Sequence, residues 1–550
     1  MNGWDPNDAP LYAELLRYAA RKEASFHVPG HKDGNFYRDI RKNIPSGFKE
    51  VLGIDVTEIE GTDDLHDPEG VIKEAQEKAA AFFGAEETFF LIGGSTAGNL
   101  ALILTVCREP GDLLIVQRNV HKSVLNGLML AGARAVFVAP DPDPESGLAV
   151  LPGDPTLEEA LQRYPEARGV LLTRPNYYGM GRSIRKTADI CHRHGVPLLV
   201  DEAHGAHYGL HTAFPISALA EGADGVVQST HKMLAAMTMG AMLHVQGGRL
   251  DRSLLRRRLA MVQSSSPSYP IMASLDLARS IAQSRGEDAW TGALEAAAYI
   301  RRELERLPRF GYVRPKLPDG CSDSAAAFEC CAAEPAAAEE GRGEPFGGGA
   351  VSAYAEQDPL KIAVYDRRRV LSGYAMQQRL AAAGCIAEMS DERRTVLALG
   401  PGSGMNDAER LISALRELQC ELDINTKAES VEFGSGQHEA LESRDAVFRT
   451  APLISDPVPF DLRPPRSSEP LQVEEAAGRI AAEMIVPYPP GIPLIYAGER
   501  ITKSAADHLI RLRKAGARFQ GAADGELTTI QVRRKEENDG SIHNIPADLA

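Results

Sequence analysis

The sequence predicts an α/β chain organised around a mainly parallel sheet, and three observations predict it. Helical and strand-like patterns alternate from about residue 70 to 245. The strand-like runs are short and almost wholly apolar, as in sheets covered on both faces. Helix-length stretches separate them, as the crossovers between parallel strands require.

In chain order, "VIKEAQEKAAAFFG" (71–84) comes first, with apolar residues at helical spacing and a terminal glycine suited to a left-handed C-cap. The strand candidates follow as "TFFLIG", "LLIVQ", "AVFVAP", "GVLLT" and "PLLVDEA". In such sheets, binding residues gather just beyond the carboxyl ends of the strands. That rule points to residues 93–96, 119–123, 175–179, 201–204 and 229–232. Further on, the composition divides the chain. Residues 318–350 are rich in Ala, Gly and Glu and read as a mobile surface insertion. Residues 424–470, with Ser, Pro and mixed charges, read as a linker. The expected organisation is therefore an N-terminal arm (1–64), a large domain (65–300), a small α/β domain (301–423) carrying the insertion, the linker, and a compact C-terminal domain with its tail (471–550).

Composition excludes several function classes. At 550 residues and 43% hydrophobic, the chain can bury cores for about two to four domains. A formal charge of −16 argues against nucleic acid as a partner, and the run Arg256–Arg257–Arg258 reads as a solvated helix face. "LALILTV" (100–106) is far too short to span a bilayer, and the N-terminus lacks the basic flank and apolar core of a secretion signal. Seven cysteines without a C-x-x-C pair, with Cys330 and Cys331 adjacent in the Ala-rich region, indicate neither a zinc ribbon nor a disulfide framework. The expectation is a cytoplasmic protein without a membrane or nucleic-acid partner.

Three motifs carry chemistry. In "IGGSTAGNLALI" (92–103) a strand ends in Gly-Gly and a helix opens. Its first amides, with the hydroxyls of Ser95 and Thr96, would form a phosphate cup, the alternative being an ordinary N-cap. "LLVDEAHGAH" (198–207) sets Asp201 at the end of an apolar strand, where a buried acid needs a cationic partner. A metal bound with His204 and His207 is the rival there, but the order of ligands matches no metal motif. In "QSTHKMLAAMTMGAMLHV" (228–245), Lys232 lies between small hydroxyls and an apolar stretch offering its charge no evident partner. It is either a strand-end lysine near a turn or a pocket amine of the kind that forms Schiff bases. Phosphate cup, acid, then lysine is the ordered set that pyridoxal phosphate needs: a grip on its phosphate, an acid at its pyridine nitrogen, and an imine-forming amine.

Longer stretches carry a resemblance. "SFHVPGHKDG" (25–34), "GTDDLHDPEGVIKEAQEKAAAFFGAEETFFLIGGSTAGN" (61–99), "QRNVHKSVLNGLMLAGA" (117–133), "PNYYG" (175–179), "VDEAHGAH" (200–207), "QSTHK" (228–232), "SSPSYPIMASLDLAR" (265–279) and "VPYPPGIPL" (486–494) resemble the Orn/Lys/Arg decarboxylase family, in its short form without an N-terminal wing domain. The resemblance implies a fold type I (aspartate aminotransferase-like) large domain with a mainly parallel sheet, plus small α/β and C-terminal domains. It also implies roles. Lys232 would form the Schiff base with pyridoxal 5′-phosphate, and Asp201 would hold its pyridine nitrogen. His121 would stack on one ring face, with Ala203 against the other. Ser95, Thr96, Ser229 and His231 would bind the phosphate. Gly93, Asn176, Met239 and Ala497 depart from the family pattern, leaving the cofactor residues untouched.

The expected function is decarboxylation of a basic amino acid, arginine first, with lysine or ornithine as alternatives, feeding polyamine synthesis. His204 is the candidate proton donor to the α-carbon. Asp63, Asp64 and Glu499 are candidate ligands for the substrate cation, with loop or helix-capping roles as alternatives. A homodimer or larger homo-oligomer is implied by the resemblance. An aminotransferase or other lyase on the same fold, and a non-catalytic paralogue, remain open.

Overall fold

A computed structural model describes residues 5–38, 47–315, 354–429, 453–463, 467–488, 492–514 and 516–534. The insertion expected at 318–350 lies outside them, as does the tail after 534.

The large domain contains β1 (Glu87–Leu91), β2 (Leu113–Gln117), β3 (Arg134–Val138), β4 (Ala167–Thr173), the two-residue β5 (Met180–Gly181), β6 (Leu198–Asp201), β7 (Gly225–Gln228) and β8 (Ala241–Val245). All but β5 form one sheet in the order β1-β8-β7-β6-β4-β2-β3. The pairs β3–β2, β2–β4, β4–β6 and β6–β7 are parallel, as expected from their apolar runs. β8 is the exception, running antiparallel to both β7 and β1. The connection from β7 to β8 holds only the four-residue helix Thr230–Met233, too short to carry the chain across a sheet face.

Alternate residues of the central strands enter opposite cores. Ile115, Val136, Val170, Leu198 and Val226 face one side, and Leu114, Phe137, Leu171, Leu199 and Val227 the other. Each such buried side chain stabilises the fold by about 1.5–3 kcal/mol, so a one-residue slip in register would exchange two well-packed faces at once. The helix Val71–Phe83 ends at Gly84 with φ +76°, the C-cap its sequence predicts.

The helix Gly94–Val106 lies so close to the sheet that a Cβ on Gly98 would come within 2.8 Å of Val227 Cγ1 and 2.9 Å of Leu91 Cδ1. That approach brings the next residue, Asn99, to the end of β6.

The small domain packs the helices Thr291–Glu305, Gly373–Ala382 and Met405–Glu429 on four antiparallel strands, β9 (Phe310–Tyr312), β11 (Lys361–Asp366), β12 (Met389–Ser390) and β13 (Arg394–Ala398). A further short strand, β10 (Glu356–Gln357), pairs with β5 of the large domain. Beside that junction Arg174, buried completely, meets Glu202, Glu221 and Glu356 at 2.8–3.3 Å. Burial raises the Glu202 carboxyl to about 7 even with Arg174 beside it.

The stretch read as a linker is partly structural. The helix beginning at Met405 continues to Glu429. β14 (Val458–Pro459) extends the large sheet antiparallel to β3, while Phe460 enters the core and its ring lies 6.1 Å from that of Phe137. The C-terminal domain begins at β15 (Ser468–Gln472), which pairs with β18 (Thr529–Arg533). β16 (Val486–Tyr488) and β17 (Arg518–Gln520) form a second ladder, and the helix Lys503–Lys514 covers a core that includes Ile485, Leu509 and Ile530. This domain docks beside His121. The Tyr496 hydroxyl donates to the Arg118 carbonyl, and the Arg118 guanidinium lies 4.1 Å from the Tyr496 ring centre.

Candidate active site

The residues just beyond β2, β4, β6 and β7 gather near the start of the helix Gly94–Val106. Asp201, the last residue of β6, is 3% exposed. Its carboxylate accepts from Asn99 Nδ2 at 2.8 Å and from the Ala203 amide at 3.1 Å. The same Asn99 amide nitrogen lies 3.0 Å from Ser123 Oγ, which lies 2.8 Å from His121 Nδ1. One continuous chain of hydrogen bonds thus ties Asp201 to His121, the N-cap residue of the helix Lys122–Ala131. Desolvation holds the His121 imidazole below the ordinary histidine range, although the nearby Asp201 charge opposes this.

Lys232 has the partner that its local sequence does not show: its Nζ is 3.1 Å from His204 Nε2. Desolvation of the amine lowers its pKa; the charge of Asp201 resists the shift and that of Lys361 reinforces it. Such an amine gives up its proton more readily than a surface lysine and becomes nucleophilic. Tyr177 closes this side, with its ring centre 4.8 Å from that of His204.

The residues expected to hold a phosphate differ in exposure: Thr96 is exposed and Ser229 is buried. Ser95 and Thr96 stand in the first turn of the helix Gly94–Val106, whose N-cap, Gly93, offers no side-chain cap. Ser229 Oγ is buried without a hydrogen-bond partner, a costly state that a bound acceptor would relieve. His231 Nδ1 is 3.0 Å from the Gly240 carbonyl and so donates to it, leaving Nε2 for another partner. An amine, a buried carboxylate, an imidazole and an orphaned hydroxyl are the groups that pyridoxal phosphate requires, and this donor set fits it.

The other candidates are differently employed. His207 is paired with Asp358 at 3.2 Å, both wholly buried, which gives it a structural partner in place of the metal weighed from the sequence. Asp63 Oδ1 accepts the amides of Asp64 and Glu69, and Oδ2 those of Gly70, Ile72 and Lys73, at 2.8–3.3 Å. Burial penalises its charge, but the amides together hold the carboxyl below the usual range. The capping alternative describes this geometry. Asp64 likewise accepts the amide of His66 at 2.8 Å. Glu499 lies in the C-terminal domain, 2.5 Å from Arg118 Nη2, and accepts the Tyr496 amide. Asn176 Oδ1 accepts the amides of Tyr178 and Met180, so this departure builds the turn after β4. Asp63→Ala is expected to lower stability by about 1–2 kcal/mol with little effect on KM, checked by denaturant melts beside substrate titration. Unchanged stability with a large rise in KM would instead make Asp63 a substrate ligand.

Four residues of the site were not named from the sequence: Asn99, Ser123, Tyr177 and Lys361, although Ser123 and Tyr177 lie in segments that the strand-end rule marks. Asn99 carried a signal, as an amide inside an otherwise apolar helix. Lys361, at the start of β11, is 2% exposed, and its Nζ is 3.4 Å from His204 Nδ1.

Comparison with known proteins decides the family. The Orn/Lys/Arg decarboxylase major domain matches residues 9–407, and the C-terminal domain of the same family matches 465–543. The chain belongs to the Orn/Lys/Arg decarboxylase family. Within that family, an arginine decarboxylase of Bacillus subtilis is 31% identical over 96% of this chain and 99% of its own length. The Bacillus subtilis protein YaaO is 40% identical over 96% and 99%. Lysine decarboxylase LdcA of Pseudomonas aeruginosa is 27% identical over 93% of this chain and 77% of its own. The solved lysine decarboxylase A of that organism shares the fold, with a TM-score of 0.75 at 24% identity, covering 96% of this chain and 80% of that one. The architecture of this Orn/Lys/Arg decarboxylase homologue is that of fold type I enzymes, with the small and C-terminal domains expected from the sequence.

Proposed function

We propose that this chain decarboxylates a basic amino acid, arginine before lysine or ornithine, with pyridoxal phosphate as cofactor. The observation that supports the reading is the clustering of Lys232, Asp201 and His121 in a chain matched over 96% of its length by arginine decarboxylases. When bound, the cofactor supplies an electron sink for the bonding pair left as the α-carboxylate departs as carbon dioxide.

The chain's own residues do the rest. Lys232 would offer the amine that holds the cofactor covalently. Asp201, oriented by Asn99 and the Ala203 amide, would keep a proton on the pyridine nitrogen. His121 would cover one face of the ring, and Ala203 would leave room at the other. Ser95, Thr96, Ser229 and His231 would bind the phosphate. His204 Nε2 would deliver the proton that completes the amine. Burial of Asp201, Ala203, His204 and Ser229 strengthens the electrostatic interactions they make.

Among the described residues no helix is long and apolar enough to cross a membrane. A cytoplasmic homo-oligomer whose amine product enters polyamine synthesis completes the reading. Initial rates with arginine, lysine and ornithine test its substrate. Arginine is expected to have the highest kcat/KM, by about tenfold or more, since discarding a matched polar group costs a site more than discarding a methylene. Preference for lysine or ornithine would move the assignment within the family.

A further inference from the structure

His204 has a lysine at each ring nitrogen, Lys232 at Nε2 (3.1 Å) and Lys361 at Nδ1 (3.4 Å). The ring is 5% exposed, and burial with the two neighbouring lysines holds it well below the ordinary histidine range, so it is neutral. A neutral imidazole has one N–H and one lone pair. Two ammonium groups would each need a lone pair, so one of the two lysines must be a free amine that accepts the ring proton.

The surroundings decide which. Lys361 faces Asp358 and Glu388, the Asp358 charge acting on it more strongly. Asp358 Oδ1 accepts from His207 and from the Leu360 amide, while Oδ2 has no hydrogen-bond partner, leaving its charge to act on Lys361. Burial disfavours the charge on both amines. Lys232 faces Asp201 and Glu388, but the Asp201 carboxylate already accepts from Asn99 and the Ala203 amide, and the Lys361 charge opposes a second one. The charge therefore rests on Lys361, and Lys232 is the free amine.

We propose that Lys361 is a positioning residue: its ammonium donates to His204 Nδ1 and so fixes the tautomer with the proton on Nε2, facing Lys232 and the reacting carbon. Its consequence for turnover rests on the decarboxylase reading. There, the Nε2 proton passes to the α-carbon from which carbon dioxide has left, and Lys361 returns one to Nδ1. The ring stays neutral in the opposite tautomer, Lys361 becomes the free amine, and one solvent proton restores both. No local feature of "DPLKIAVYD" marks this lysine; only the packing of the small domain against the large one brings it to His204.

The test uses the full chain stripped of cofactor. Acylation of Lys232 by acetic anhydride is followed by peptide mass across a pH series. In Lys361→Met the midpoint is expected to move up by about one pH unit or more, because removing a like charge favours the Lys232 ammonium. Lys361→Arg, which keeps the charge, is expected to stay nearer the wild type. An unchanged midpoint in Lys361→Met overturns the proposal. Should that variant not fold, nitrogen chemical shifts of labelled histidine in the wild-type chain decide: a protonated Nδ1 or a cationic His204 ring overturns it. In the loaded enzyme, Lys361→Met is expected to raise the ratio of aldehyde by-product to amine by about tenfold, through protonation at the wrong atom. Absence of any amine from the wild type would count against decarboxylation alone, and the acylation midpoints would still decide the role of Lys361.

Discussion

Lys232→Ala is expected to hold no cofactor covalently and to lose turnover by about four orders of magnitude or more. The fold should survive, because the change removes a desolvated amine along with its methylenes, and the two effects on stability oppose each other within about 1–2 kcal/mol. His204 is expected to keep the Lys361 contact seen in the unsubstituted chain. Cofactor absorbance after gel filtration and the mass of the borohydride-treated protein are the checks: wild type should gain one cofactor on the peptide bearing Lys232, and the variant none. A variant with ordinary rates would place the covalent attachment elsewhere.

The second large effect is expected at Asp201→Asn. Asparagine keeps the shape, and its carbonyl can still accept from Asn99 or from the Ala203 amide, but one of those donors loses its acceptor. That costs about 1–2 kcal/mol of stability, leaving a folded protein. The chemical cost is larger, because the proton on the pyridine nitrogen loses its counter-charge inside a desolvated site. Turnover is expected to fall by about 10²- to 10⁴-fold with cofactor still attached at Lys232. If Asp201 serves only to organise the end of β6, turnover stays within about threefold of wild type.

Much of this arrangement was legible in the sequence because the signal was local. Apolar runs ending in small or acidic residues marked the carboxyl ends of the strands, and side chains from four of the five segments singled out there, 119–123, 175–179, 201–204 and 229–232, are joined by hydrogen bonds or ring contacts at the site. Other features needed the fold. β8 runs antiparallel because of the short connection after Lys232, not because of its own composition. Residues 453–460 have no periodicity, since a two-residue strand and one aromatic side chain hold them to the sheet. Asp63 reads equally as a substrate ligand or a capping group until the backbone of 64–73 folds around its carboxylate. Lys361 lies 157 residues from His204 in sequence, and a lysine at a strand start is ordinarily solvated. The resemblance to known decarboxylases supplied the roles that geometry alone leaves open, above all for His121 and Ala203.

Carbon balance on a single purified preparation tests the central claim most directly. The full chain, loaded with pyridoxal phosphate and given arginine, lysine and ornithine in turn, is followed for released carbon dioxide, amine and keto acid together. The reading predicts carbon dioxide and amine in equal amounts from at least one of the three, the amine lighter than its substrate by one carbon dioxide. Keto acid without carbon dioxide would make the chain an aminotransferase on a decarboxylase fold, and no product from any of the three, with cofactor bound at Lys232, would contradict the decarboxylase assignment.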